Sequence, residues 1–103
     1  MSDATPLVHA VIARVCDGPG ETSSLERRAA FASVGVPAGA RVLLEKVTRH
    51  AYKVTDDDID GALAAGLSED QVFELAVAAA LGQATRQLDA AVAALDAALQ
   101  ETP

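Results

Sequence analysis

A chain of 103 residues is the size of one domain, and we expect residues 1–103 to form a single helical domain. Half of the residues are hydrophobic but only 3% are aromatic, and much of the apolar content is alanine, which favours closely packed helices over a sheet. The net charge of −7 argues against nucleic-acid binding, because neutralising phosphates requires basic residues on the surface.

Targeting and redox signals are absent from the sequence. No basic stretch followed by an apolar one opens the chain, and no apolar run approaches the roughly 20 residues that span a bilayer. A single cysteine, Cys16, cannot form an internal disulfide or a two-cysteine redox centre. We therefore expect a soluble cytoplasmic protein with no membrane partner and no cofactor.

Five helices are predicted, most of them begun by a capping residue and ended by glycine. The predicted bounds are Thr5-Pro6 to the "DGPG" at 17–20, the Ser23 cap to Val34 with Gly35 closing, about Ala38 to near Ala51, Asp56 to Ala65 with Gly66 as the cap, and Ser68 to about Gln100. The alanine and glycine run at 76–84 predicts close approach of neighbouring helices. The fold class is therefore all-α, a bundle of about five helices with a long last helix.

Charge divides the chain into two halves. Residues 1–53 contain five acids and seven bases, a net charge of +2, whereas residues 54–103 contain ten acids and only Arg86 as a base, a net charge of −9. Opposite charges of this kind predict attraction within the fold or between subunits.

The stretch "HAYKVTDDDID" at 50–60 is dense in polar side chains. Such a density of possible ligands raises the hypothesis of a metal site. Thr55 has the character of a helix N-cap, and the three aspartates after it occupy a first turn, where the helix dipole favours negative charge. Consecutive helical residues point about 100° apart, so these aspartates cannot converge on one ion. The stretch is therefore interpreted as a helix start, and no metal is expected.

Residues 55–95 read "TDDDIDGALAAGLSEDQVFELAVAAALGQATRQLDAAVAAL", a helix ending in alanine-glycine, a capped turn and a long alanine-rich helix. This pattern resembles the C-terminal half of the carboxymuconolactone decarboxylase-like and alkylhydroperoxidase-D-like family. The resemblance implies an all-helical, alkylhydroperoxidase-D-like fold that assembles as a homotrimer or homohexamer.

The sequence departs from that family at its reactive residues. Counted back from the glycine that matches Gly66, the C-x-x-C-x-x-x-H motif of the peroxidase branch places its cysteines at Ala51 and Val54 and its histidine at Asp58. Peroxide reduction needs both thiols, since one attacks the peroxide and the second then releases the first. The decarboxylase branch lacks the cysteines but commonly keeps the histidine. We therefore expect a non-redox member without peroxidase activity.

A basic cluster precedes the aspartates. Four residues follow the i, i+3, i+4, i+7 spacing and share one face if the third helix continues that far: Lys46, Arg49, His50 and Lys53. Such a face predicts a site for a carboxylate or phosphate ligand, with Tyr52 as a nearby hydrogen-bond donor. The alternative interpretation is a solvated face paired with the acidic fourth helix or with a neighbouring subunit.

Two functions from different classes remain open. In the first, the protein is an oligomeric helical module that binds a small anionic ligand or a partner. In the second, it is a decarboxylase- or isomerase-like enzyme that acts on a small acidic metabolite through relocated acid/base groups, with the candidates Glu45, His50, Tyr52 and Lys53. The missing motif favours the first.

Three other reactive side chains are given structural interpretations. His9 and Cys16 lie about two helical turns apart, too far for a direct hydrogen bond, so Cys16 is interpreted as a small buried or half-buried residue. Glu74 is flanked by apolar residues and is interpreted as a surface glutamate.

Overall fold

The structure, a computed structural model, describes residues 4–101 and is helical over most of this range. Its five α-helices are α1 (Thr5–Asp17), α2 (Ser24–Ala32), α3 (Arg41–Arg49), α4 (Asp56–Ala64) and α5 (Glu69–Gln100). Short 3-10 turns at Ala38–Ala40 and Ala51–Lys53 flank α3. The prediction of an all-α bundle of five helices with a long last helix is confirmed.

Reciprocal side-chain caps begin α2 and α5. The Ser23 hydroxyl accepts from the Glu26 N–H at 3.1 Å, and the Glu26 carboxylate accepts from the Ser23 N–H at 3.0 Å. Ser68 and Gln71 make the same pair of bonds at the start of α5. Each pair satisfies backbone donors that the first turn of a helix leaves without partners.

The first two helices differ in detail from their predicted bounds. Ala4, not Thr5, is the N-cap of α1, and it makes no side-chain capping bond. Gly35 does not close α2, because Ser33 already turns the chain away with a φ of 59°, in the left-handed region. The helix therefore ends before Val34.

The third helix is shorter than predicted at both ends. Ala38–Ala40 form a 3-10 turn, and the α-helix begins only at Arg41. It ends at Arg49, because His50 has a φ of −146° and a ψ of 58°, outside the helical region. Lys53 therefore does not continue the helical face that carries Arg49, contrary to the predicted spacing.

The last two helices lie close to their predicted positions. α4 ends at Ala64, and Ala65 rather than Gly66 is its C-cap, with Gly66 following at a φ of 103°. α5 runs from the Ser68 cap to Gln100, as predicted. Neither α5 nor any other helix within residues 4–101 is both long and apolar enough to cross a membrane.

The main core lies between α2, α3 and the first half of α5. Its buried members are Ala30, Ala40, Leu44, Leu75, Ala78 and Ala79. Four of these six are alanine, which allows the helix backbones to approach closely. The approach is closest at Gly82, where a Cβ atom would collide with the backbone carbonyl of Phe31. The packing role predicted for residues 76–84 is confirmed.

A smaller cluster of Leu43, Ala62 and Val72 holds α4 against α3 and α5. Beyond this packed region, the second half of α5 leaves the bundle. From Arg86 to Gln100 each residue of the helix is exposed except Val92, which is partly exposed. The result is an elongated molecule of 58 × 29 × 20 Å.

Candidate functional site

A cleft of about 670 Å³ opens between the end of α2, one face of α3 and the middle of α5. Polar and charged side chains contribute much of its lining: Arg41, Glu45, Thr48, Arg49, Gln83 and Arg86. Because three of them are arginines and one is a glutamate, the charges that line the cleft sum to +2. We refer to it as the three-arginine cleft.

Arg86 is held in position by the end of α2. One guanidinium nitrogen donates to the Phe31 carbonyl at 2.6 Å, and the other donates to the Gln83 side chain at 3.1 Å and the Ser33 hydroxyl at 3.3 Å. Ser33 is the residue whose left-handed conformation ends α2. The helix end thus fixes the guanidinium at the cleft before any ligand arrives.

The other charged groups of the cleft come from α3. Arg41, Glu45 and Arg49 are spaced four residues apart, so they share one face of the helix. All three side chains are exposed, and none makes a side-chain hydrogen bond or ion pair within residues 4–101. Leu44 lies between this face and the core and forms part of the floor of the cleft. Two guanidinium groups are therefore available to a ligand.

The arrangement suits an anion. A guanidinium presents a planar fork of N–H donors that matches the oxygens of a carboxylate or phosphate, and the cleft is lined by two such forks without partners and by the fixed third. Glu45 adds an acceptor that repels a second negative charge and binds a hydroxyl or ammonium group. The three-arginine cleft therefore favours a ligand with one anionic end and a neighbouring hydrogen-bond donor.

Lys46, one of the predicted ligand-binding residues, lies outside this cleft and has a partner. Its ammonium group donates to both oxygens of the Asp58 carboxylate at 2.9 Å. The same carboxylate accepts from the Thr55 N–H at 2.9 Å and from its hydroxyl at 3.2 Å. The hydrogen bonds from Lys46 and then from Thr55 lower the pKa of Asp58. Asp58 thus holds α3 to the start of α4.

The remaining candidates form a separate exposed group after α3. The His50 and Tyr52 rings meet edge to face at 6.0 Å, and the Lys53 ammonium lies 5.8 Å from the centre of the Tyr52 ring. None of the three lines the three-arginine cleft, and no hydrogen bond joins any of them to Glu45. Of the predicted site residues, only Glu45 and Arg49 are brought together.

Sequence reasoning missed Arg41 and Arg86. Arg41 could have been predicted from the sequence. It precedes Glu45 by four residues and Arg49 by eight, a spacing that places all three on one face of a helix. Arg86 is the only base after residue 53, but nothing in the sequence places it opposite α3. Its position depends on how α2 packs along α5.

Glu74 holds the loop between α1 and α2 against α5, which corrects the surface interpretation. Its carboxylate accepts from the Thr22 hydroxyl at 2.6 Å and from the N–H groups of Thr22 and Glu21 at 2.8 Å. Partial burial alone would raise the pKa of Glu74, but the hydrogen bonds and the nearby charge of Arg27 outweigh it, so the pKa is lowered.

Arg27 lies beneath the same loop and is only 5% exposed. It donates to the carbonyls of Val15 at 2.9 Å and Thr22 at 3.3 Å, while its Nε has no partner within residues 4–101. These bonds tie the end of α1 to the start of α2. Together with Glu74, Arg27 secures the α1–α2 connection.

Cys16 is fully buried at the end of α1, which confirms its interpretation as a small buried residue. Burial raises the pKa of its thiol, so the thiolate is disfavoured. His9 is exposed. The chain therefore presents no activated thiol at this position.

Among residues 4–101, no group of three or more histidine, cysteine, aspartate or glutamate side chains is placed to hold a metal ion. Comparisons with family models, curated proteins and solved structures found no match for this chain. The resemblance to the carboxymuconolactone decarboxylase-like family therefore stays a prediction.

Proposed function

We propose that the protein is a non-redox helical module that binds a small anionic ligand in the three-arginine cleft. The observation that carries this proposal is the placement of Arg41 and Arg49, both without partners, beside the fixed guanidinium of Arg86. In a chain with a net charge of −7, such a concentration of positive charge attracts anions to one place.

The ligand we propose has a carboxylate or phosphate group next to a hydroxyl or amine. The arginines bind the anionic group through paired N–H donors. Glu45, on the same face of α3, accepts a hydrogen bond from the neighbouring donor. Small hydroxycarboxylates and hydroxyl-bearing phosphates have this chemistry.

The alternative acid/base enzyme has less support. Glu45 lies in the cleft, whereas His50, Tyr52 and Lys53 lie outside its lining. An enzyme would therefore have to work with Glu45 as its only candidate acid/base group from the predicted set. We favour binding without turnover.

The non-redox part of the proposal rests on Cys16. Because the only thiol is buried and its pKa is raised, we expect no thiol-dependent peroxide reduction. A peroxide-consumption assay with a dithiol reductant measures this directly. Turnover that disappears in Cys16→Ser would contradict the proposal.

Isothermal titration calorimetry with inorganic phosphate and with a small hydroxycarboxylate tests the binding function. Arg49→Ala should weaken binding by about ten- to a hundredfold, because a charge-assisted hydrogen bond contributes about 1.5 to 3 kcal/mol. Lys53→Ala is the matched control, since it removes one exposed positive charge of the same neighbourhood outside the cleft. Equal losses in both variants would show nonspecific attraction and defeat the proposal.

Glu45→Gln tests whether Glu45 both repels negative charge in the cleft and accepts a hydrogen bond from the ligand. Inorganic phosphate should bind several-fold more tightly to this variant, because one repelling charge is removed. The hydroxycarboxylate should bind no more tightly, because its hydroxyl loses a charged acceptor. If both ligands respond alike, Glu45 does not contact the donor group.

A further inference from the structure

The distal segment of α5, residues 87–100, carries an apolar stripe that nothing in residues 4–101 covers. Leu88, Val92, Leu95 and Leu99 follow i, i+4, i+7, i+11, the alternating spacing of a seam that packs against another helix. The three leucines are 53%, 52% and 62% exposed.

The charge beside this stripe has one sign. Asp89 and Asp96 each directly follow a leucine of the stripe, and residues 87–100 contain no base. Two copies of the segment packed on each other would bring these aspartates together, which costs free energy. The partner that fits is a helix with an apolar stripe and a positive charge beside it.

The exposed face of α1 has those properties. Leu7, Val11 and Arg14 follow i, i+4, i+7, and Leu7 and Val11 are 67% and 43% exposed. Arg14 is exposed and makes no ion pair within residues 4–101. The only acid of the helix, Asp17, lies against Arg28. Arg14 is therefore the uncompensated charge on α1.

We propose that the distal segment of α5 binds the exposed face of α1 of a second copy of this chain. The two helices match in length, since 13 residues of α1 and 14 residues of the distal segment each extend about 20 Å at 1.5 Å per residue. One contact then covers both apolar stripes and places Arg14 of one copy near the aspartates of the other.

The contact joins two different surfaces of the chain, so its repetition gives a closed ring where the rotation between copies closes and an open filament where it does not; we propose the closed ring. A dimer uses it twice and a trimer three times. Each copy both donates its distal segment and receives one, which leaves neither stripe in water. The assembly does not depend on the anion-binding function proposed for the cleft.

Sedimentation velocity over a range of protein concentrations tests the contact. The natural chain should form one closed oligomer. Leu95→Gln should weaken association by about tenfold per contact, because a leucine loses its burial at the seam. Leu25→Gln is the matched control, since Leu25 is 81% exposed on α2, outside both stripes. Both residues are exposed in the single chain, so neither change should prevent folding.

Charge reversal identifies the partner surface. Arg14→Glu alone and the double variant Asp89→Lys/Asp96→Lys should each associate less tightly than the natural chain. A mixture of the two should form a mixed oligomer, since both contacts between unlike copies then pair opposite charges. A monomer at every concentration would overturn the proposal. So would an oligomer that Leu95→Gln weakens but Arg14→Glu does not, because the stripe would then bind another surface.

Discussion

The two halves of α5 differ in the size and the burial of their apolar residues. In the first half the buried positions facing α2 and α3 are mainly small, with Ala78, Ala79 and Gly82 around Leu75. In the second half the large residues of the apolar stripe are the exposed ones. The first half is therefore stabilised within one chain by close backbone packing, whereas the second half carries an apolar stripe that residues 4–101 leave exposed.

The largest expected effect comes from comparing one leucine in each half. Leu75→Ala should destabilise the fold by about 2 to 5 kcal/mol, because it leaves a cavity at a fully buried position. Leu95→Ala should change the stability of the single chain by less than about 0.5 kcal/mol. Chemical denaturation at low protein concentration measures both. Similar losses would mean that the distal half is packed within the chain.

Gly82→Ala tests the close approach in the first half. The added Cβ would meet the Phe31 carbonyl, a backbone atom that cannot move aside alone, so we expect a loss of about 1 to 3 kcal/mol. Gly61→Ala is the control, because Gly61 lies inside α4 facing open space and should gain about 0.5 to 1 kcal/mol from helix propensity. A neutral Gly82→Ala would refute the close contact of α2 with α5.

Glu74 adds a pH-dependent contribution to the first half. Since its folded-state pKa lies below the ordinary value of 4.5, this contribution is fully present above pH 4.5 and disappears as pH falls through the lower folded-state pKa. Glu74→Gln should lower the free energy of unfolding by about 1 to 2 kcal/mol at neutral pH, and by progressively less as the solution becomes acidic. Urea denaturation of both proteins between pH 7 and about pH 3 measures the difference.

The smallest effects concern the helix starts. Ser68→Ala, at the beginning of α5, removes the acceptor for the Gln71 N–H and should cost about 1 kcal/mol. Thr55→Ala should cost about 0.5 to 1 kcal/mol, because the Thr55 hydroxyl donates to Asp58 and the backbone bond to that carboxylate survives. Chelators should leave the melting temperature of the protein unchanged, because the aspartates after Thr55 are interpreted as a helix start. Destabilisation by EDTA would instead indicate a metal ion bound to these aspartates.

The starts of α2, α4 and α5 were predictable from sequence because capping is local. A serine or threonine followed three residues later by an acid or amide satisfies backbone donors with neighbours in the chain. The end of α3 was not predictable in this way. His50 leaves the helical region without a glycine or proline to signal it, so Lys46 and Arg49 lie on α3 whereas His50 and Lys53 lie after its end.

The cleft and the Glu74 bonds depend on distant residues. Arg86 lies 37 positions after Arg49 in the chain, and Glu74 lies 52 positions after Thr22. Their placement follows from the packing of α2 along α5, where alanine and glycine allow close contact. The sequence indicates which helices can approach closely, but the pairing of these side chains needs the three-dimensional arrangement.

Hydrogen exchange of the α5 amides at increasing protein concentration tests this account most directly. We predict that residues 72–82 are protected at every concentration, because the fold of the single chain protects them. Residues 88–100 should exchange quickly in dilute solution and become protected as the chain associates. Protection of both halves that is equal and independent of concentration would contradict the account.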